Sequence, residues 1–269
     1  MADANGRDLT QFLRWYSRPG TPAVKADGAW DAVAKTFTLT LAQQSGDGEA
    51  LTIPVAVGLI GADGRDLPGT NRLLELDAAA KTWTFDNVGE RPVPSLLRGF
   101  SAPVILDFAE DDATLAFRMA HDADPFNRWD AAQRFMERTV LNLAADAAAG
   151  RPLATPEAFI AAFGRLLADD ALDPAFSAQA LSLPGEGYLL ERMSPADPAP
   201  LRAALMHLLR DLGRRFLNEW RDRHAACRIE GDYRYHPGDA GRRALANLCL
   251  RYLCAAGTNT GRQLAMQQF

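Results

Sequence analysis

Zinc-dependent hydrolysis is most often built from two histidines one helical turn apart with a glutamate beside the first, and this 269-residue chain has four histidines with which to attempt it, at 121, 207, 224 and 236. None of the four is followed by Glu-x-x-His, so that route to a metal-activated water is closed. His224-x-x-Cys227 together with Cys249 and Cys254 is the nearest alternative ligand set. Five residues on a helix separate Cys249 from Cys254 by roughly 140° around the axis, which does not converge on one ion. The three cysteines are an odd number, which argues against a disulfide framework, and both Cys249 and Cys254 are read as small buried residues on a Leu-rich helix.

Other groupings lead the same way. Glu110-Asp111-Asp112 offers adjacent carboxylates, but they fall where strand periodicity gives way to helix, as a solvated link or a helix start does. Arg128-Trp129-Asp130 has the composition of a binding hot spot. Behind Asp124-Pro125 it reads instead as first-turn packing. His207 lies between Met206 and Leu208 with no Ser or Cys partner nearby, a structural or edge histidine. Gly238-Asp239-Ala240-Gly241-Arg242-Arg243 lacks the Gly-Lys-Ser/Thr ending of a phosphate loop and follows no strand, so it is read as a helix start. No catalytic, cofactor-binding or metal-ligating residue is assigned.

The elements that would position any site fall into two kinds. From Thr21 to Phe108 the hydrophobic period is two: Phe37, Leu39 and Leu41 alternate with threonines, and Ile53, Val55, Val57 and Leu59 alternate with small residues. Trp83 and Phe85, then Val104, Leu106 and Phe108, repeat the pattern. Asp27-Gly28, Gly46-Asp47-Gly48, Asp63-Gly64 and Pro92-Val93-Pro94 mark turns, with Asp27-Gly28 and Asp63-Gly64 as hairpin tips. This predicts an antiparallel, Ig-like β-sandwich over residues 21–109.

Beyond it the period becomes 3.6. Leu201, Leu205, Leu208, Leu212, Phe216 and Trp220 form one apolar stripe, read as one long helix. Asp124-Pro125, Thr155-Pro156, Asp173-Pro174 and Asp197-Pro198 each pair an N-cap side chain with a proline at the first helical position. Helices at irregular spacing predict an all-α solenoid of ARM or HEAT type over residues 110–269. The change from strands to helices is expected between Phe108 and Ala113.

A short helix from Asp8 to Ser17 carries Leu9, Phe12, Leu13, Trp15 and Tyr16, a heavy aromatic load for a terminus. The final stretch, Gly261 to Phe269, is amphipathic and has no capping residue after it. Both ends have the look of cut ends, and exposure is expected at Phe12, Trp15, Leu264, Met266 and Phe269.

Composition narrows the classes further. With 48% hydrophobic residues and interleaved charges summing to −5, the chain can bury sizeable cores and has no basic stripe for phosphates, so nucleic-acid binding is not expected. No apolar run approaches the roughly 20 residues that cross a bilayer, and the first residues lack the pattern of a signal peptide. A cytoplasmic protein without membrane contact is expected.

Several strings resemble one family. Asn5-Gly6-Arg7-Asp8-Leu9-Thr10-Gln11-Phe12, Arg14-Trp15-Tyr16 and Gly20-Thr21-Pro22 are similar to the junction after the catalytic domain in bacterial aminopeptidases of the M1 zinc metallopeptidase family. Phe85-Asp86-Asn87-Val88, Pro92-Val93-Pro94-Ser95-Leu96-Leu97-Arg98 and Phe100-Ser101-Ala102-Pro103-Val104 resemble the end of that family's β-sandwich. Arg128-Trp129-Asp130-Ala131-Ala132-Gln133 and Asn247-Leu248-Cys249-Leu250-Arg251 resemble segments of its helical domain.

The resemblance implies an internal piece of such an enzyme: residues 1–20 from the end of the catalytic domain, the sandwich, and the first part of the solenoid. It further implies that zinc belongs to the parent enzyme, whose ligands and Gly-x-Met-Glu-Asn loop lie upstream. The partners implied are the upstream catalytic domain, the downstream helices of the same chain, and the parent's peptide substrates. Neither motif occurs in this sequence. The segment is therefore expected to be a non-catalytic scaffold that restricts access to the active site. The alternative from another class is a free-standing solenoid that binds a protein or peptide on its concave face.

Overall fold

The computed structural model describes residues 4, 6–44, 48–229 and 231–268. The chain forms two compact units, one comprising Met1–Thr114 with His121–Asn127, the other Leu115–Ala120 with Arg128–Phe269. Asn5, Gly46-Asp47 and Phe269, which carried parts of the reading above, lie outside the described residues.

The first unit is a two-sheet β structure. One sheet has the order β5(Ala80–Phe85), β2(Thr36–Gln44), β1(Ala23–Asp31), β7(Ile105–Asp107); the other has β4(Arg72–Leu76), β3(Ile53–Ile60), β6(Val93–Leu96). Alternation decides which faces meet: Phe37, Leu39, Leu41 and Gln43 of β2 are buried, and the threonines between them are not. On the outer face Thr40 and Thr82 pair their hydroxyls at 3.0 Å across β2 and β5. All pairings are antiparallel except β7, which runs parallel to β1. The buried Gln43 amide donates to the carbonyls of Leu51 and Ala78 and accepts from the Leu51 N–H, satisfying backbone groups outside the strand ladders.

Asp63-Gly64 does lie at a tip: the Gly64 N–H donates to Gly61, Gly61 donates to Arg65, and Gly64 has φ of 80°. Asp27-Gly28 does not. Those residues pair with Thr40 and Leu39 in the middle of β1, and the turn falls after Asp31, whose carboxylate accepts from the N–H groups of Val33 and Ala34. Gly28 is there for space, since a Cβ would sit 2.6 Å from the Phe37 ring. The N-terminal segment forms a 3-10 helix at Phe12–Tyr16, shorter than the expected Asp8–Ser17. Phe12 is exposed as anticipated, but Trp15 is half-buried and donates its indole N–H to the Thr52 carbonyl at 2.9 Å.

The second unit is helical: α1(Asp112–His121), whose ends belong to the first unit, then α2(Pro125–Ala148), α3(Glu157–Ala168), α4(Pro174–Ala180), α5(Glu186–Glu191), α6(Pro198–Arg215), α7(Leu217–Ala226), α8(Pro237–Ala255) and α9(Asn259–Gln268). Asp124, Asp173 and Asp197 cap α2, α4 and α6 through backbone N–H bonds. Thr155 does not cap. Pro156 occupies the N-cap position of α3 and cannot itself donate, while the Thr155 hydroxyl lies 3.4 Å from His207 Nε2.

The Leu201-to-Trp220 stripe is two helices rather than one, because Phe216 leaves helical geometry with φ −110° and ψ 34°. Its ring stacks on Phe163 at 6.1 Å. The break lets Trp220 enter the core, where it lies flat on Tyr252 at 4.2 Å and 5°. At the end of the chain Met266 is exposed and Leu264 is partly buried against the helical core. Among the described residues no strand occurs beyond Asp107.

Candidate functional site

The groups singled out by type do not converge. Among the described residues no cluster of three or more His, Cys, Asp or Glu side chains could hold a metal ion. Cys227 and Cys249 are buried, and burial pushes both thiols up, Cys249 to about 12, so they are packing residues without thiolate character. Cys254, expected to be buried, is exposed because it falls on the other side of α8; its thiol approaches the Gly261 carbonyl at 3.5 Å.

Glu110, Asp111 and Asp112 part company: Glu110 is buried, Asp111 accepts from the Thr114 N–H at 2.8 Å as a cap, and Asp112 opens α1. Arg128 is indeed a packing residue, donating to the Met119 carbonyl at 3.0 Å and to Asp169 at 2.9 Å. His207 sits at the edge of α6, half-buried.

Two charged clusters were not found from the sequence. In the first unit Arg98 donates from both terminal nitrogens to the two Asp66 oxygens, at 2.6 and 2.7 Å. It also donates to Asn71 and Ser95 and faces Asp122 at 3.5 Å. The turn that presents it is left-handed at Leu97, Gly99 and Phe100, and Asp124 accepts from the Gly99 N–H. The Arg98 bonds hold the Asp66 carboxyl below its usual value against the opposing cost of burial. Every polar group here points at another, and Gly58 leaves the guanidinium its room. It is a strut that fixes a turn.

The second cluster opens onto space. Asp239, in the first turn of α8, is fully buried, with Arg234 at 2.6 Å and Arg242 at 2.7 Å. The Arg234 bond, supplemented by Arg242, holds its carboxyl low. That pair anchors the stretch between α7 and α8, and Arg243 stacks on the Tyr233 ring at 5.0 Å. Between this stretch, α8 and α9 lies a cavity of about 1090 Å³, lined among others by Arg228, Ile229, Arg243, Ala246, Asn247 and Leu264. The Gly238–Arg243 segment is a helix start, as read from the sequence. That its Asp239 would be the anchor of a cavity wall could not be seen, because Arg234 reaches it from a segment without periodicity.

Comparison with known proteins adds the family. The model for the domain of unknown function DUF3458, with an Ig-like fold, matches residues 20–109, and that for DUF3458_C, with ARM repeats, matches residues 112–269. Over the whole chain the sequence is 34% identical to aminopeptidase N of Escherichia coli (strain K12), covering 32% of that protein. It is 42% identical to aminopeptidase N of Caulobacter vibrioides over 94% of this chain and 30% of the relative. The Haemophilus influenzae aminopeptidase N is 30% identical over the whole chain and is covered to 32%. The chain thus spans about a third of the length of the curated relatives it matches. A crystal structure of Legionella pneumophila aminopeptidase A in complex with aspartic acid has the same fold, with TM-score 0.84 and 24% identity over 99% of this chain and 31% of that one.

Proposed function

We propose a non-catalytic scaffold role for this chain, which belongs to the family defined by the DUF3458 Ig-like and DUF3458_C ARM-repeat domains. In this reading it is an internal part of an aminopeptidase N whose active-site zinc is held by residues outside the present sequence. The domains are assigned as a short lead of residues 1–20, an Ig-like spacer over 21–109 and a solenoid from 110 onward. The observation that carries the proposal is the match along the whole chain, at 34% identity, to about a third of aminopeptidase N. The sequence itself contains no His-Glu-x-x-His.

Within such an enzyme the β unit would space the catalytic part from the solenoid, and the solenoid would narrow the way in, favouring short or unstructured peptides. The parent's chemistry, removal of N-terminal residues by a zinc-activated water, would be carried elsewhere. No helix among the described residues is long and apolar enough to cross a membrane.

Two measurements test this. The 269-residue chain is expected to hold no stoichiometric zinc and to leave alanyl and arginyl chromogenic substrates uncut; about one tightly bound zinc per chain, or turnover abolished by a substitution in this chain, refutes it. In the longer enzyme, bulky substitutions on the solenoid surface are expected to lower turnover of long peptides while sparing dipeptides. Equal losses on both would remove the access-restricting role.

A further inference from the structure

Helix α2 is shared between the two units: its first turn, through Asn127, belongs to the β unit, and everything from Arg128 onward belongs to the helical one. The two residues at that line are both buried, and their side chains bond to different units. Asn127 donates from Nδ2 to the Ser95 hydroxyl at 2.8 Å and to the Leu96 carbonyl at 2.7 Å, both in β6. Arg128 donates to the Met119 carbonyl at 3.0 Å and to Asp169 at 2.9 Å, both in the helical unit. Asp124 divides its carboxylate. One oxygen accepts from the Asn127 N–H as the helix cap, and the other accepts from the Gly99 N–H in the left-handed turn after β6. Farther along the same helix Ala131, Ala132, Phe135 and Met136 lie buried in the helical core.

A buried amide deprived of its partners bears its full desolvation cost, and a helix end deprived of its cap frays. If the β unit opens, Asn127 loses both of these acceptors within the turn that starts α2. If the helical unit opens, α2 unwinds, Asp124 and Asn127 are no longer held in register, and Ser95, Leu96 and Gly99 lose the groups that meet them. Opening either unit therefore leaves broken bonds in the other. We propose that the first turn of α2 is a coupling element, through which Asn127 and Asp124 make the stability of each unit depend on the folded state of the other. The device is a property of this chain and stands whether or not the scaffold reading does.

The test is amide hydrogen exchange of the full 269-residue chain, comparing the slowest amides of β3 with those of α8, which report the opening of the β and helical units. Ser95→Ala removes one acceptor of Asn127 and no atom of the helical unit. It should nonetheless speed exchange in α8 as well as β3, by about threefold to tenfold, and Asn127→Ala should do so by about tenfold or more. Thr40→Val, which removes the Thr82 partner on the outer face of the same β unit, should leave α8 unchanged. Exchange in α8 that ignores Ser95→Ala and Asn127→Ala overturns the proposal. So does a Thr40→Val effect in α8 equal to that of Ser95→Ala, since any loss in the β unit would then reach the helices without this turn. If Asn127→Ala fails to fold, the milder Ser95→Ala set beside Thr40→Val decides.

Discussion

Gly213→Ala sets helix propensity against close packing, and the structure says which one wins. Gly213 lies in the last turns of α6, buried against the backbone of α8. A Cβ added there would strike the Tyr252 carbonyl oxygen and would stand 3.2 Å from the Tyr252 carbonyl carbon and 3.3 Å from the Ala256 nitrogen. That carbonyl already accepts from the Ala256 N–H at 2.9 Å, so it cannot swing aside without losing a bond of the α8 terminus. Relief must come from moving the helices apart by a good part of an ångström.

Propensity alone would favour Ala by about 1 kcal/mol. Opening a packed helix pair forfeits a quarter to a half of each contact at the seam, and overpacking of this kind costs about 1–3 kcal/mol. Tyr252, whose carbonyl is struck, also carries the Trp220 stack from α7, so the net expectation is a loss of about 2 kcal/mol. In urea unfolding followed by helical circular dichroism, which reports the helical unit, that is a midpoint lower by about 1 M. The control is Gly187→Ala in α5, where an added Cβ meets nothing within 4 Å. It should leave the midpoint unchanged or raise it slightly. A Gly213→Ala midpoint equal to or above the parent's, with the two variants alike, would refute the reasoning from close approach.

Further outcomes follow from the caps and the strut. Asp173→Ala removes the acceptor of the Ala175 and Phe176 N–H groups and should cost the helical unit about 1 kcal/mol, read in the same urea assay, whereas Thr155→Ala should not show a capping loss at α3. In the β unit the Asp66 carboxyl is held low by Arg98, so its contribution to stability is complete above the unfolded-state value of about 4 and is lost as pH falls through its lower folded value. Thermal melts monitored by near-UV circular dichroism should fall between pH 4 and pH 2, and Asp66→Asn should be less stable at pH 7 but flatter over that range. A variant whose acid sensitivity matches the parent's would show that the strut does not titrate.

The division into a β unit and a helical unit was legible because burial on one face imposes a period of two on strands and 3.6 on helices, and nothing else in the chain competes with that signal. The aspartate-proline starts at 124, 173 and 197 were legible for a similarly local reason, since a cap needs only its next three residues. Local reasoning failed where a residue's role is set by a distant neighbour. Gly28 looks like a turn residue until the Phe37 ring is placed over it, and Thr155 looks like a cap until its hydroxyl is found beside His207.

The apolar stripe from Leu201 to Trp220 carries no mark of its break at Phe216, because both halves keep the same spacing and the break answers to Phe163, more than fifty residues earlier. The two arginine clusters were invisible for the same reason. Arg98 finds Asp66 across 32 residues, and its role rests on a left-handed turn that no residue type at Leu97 announces. The residues of Arg228 to Arg243 show only a charged, aperiodic link followed by a helix start. Folding alone decides that Asp239 draws both Arg234 and Arg242 to itself. A sequence fixes the sign and number of its charges; which of them neutralise one another and which stay free for a ligand is a matter of distance, and distances of this kind belong to the tertiary structure.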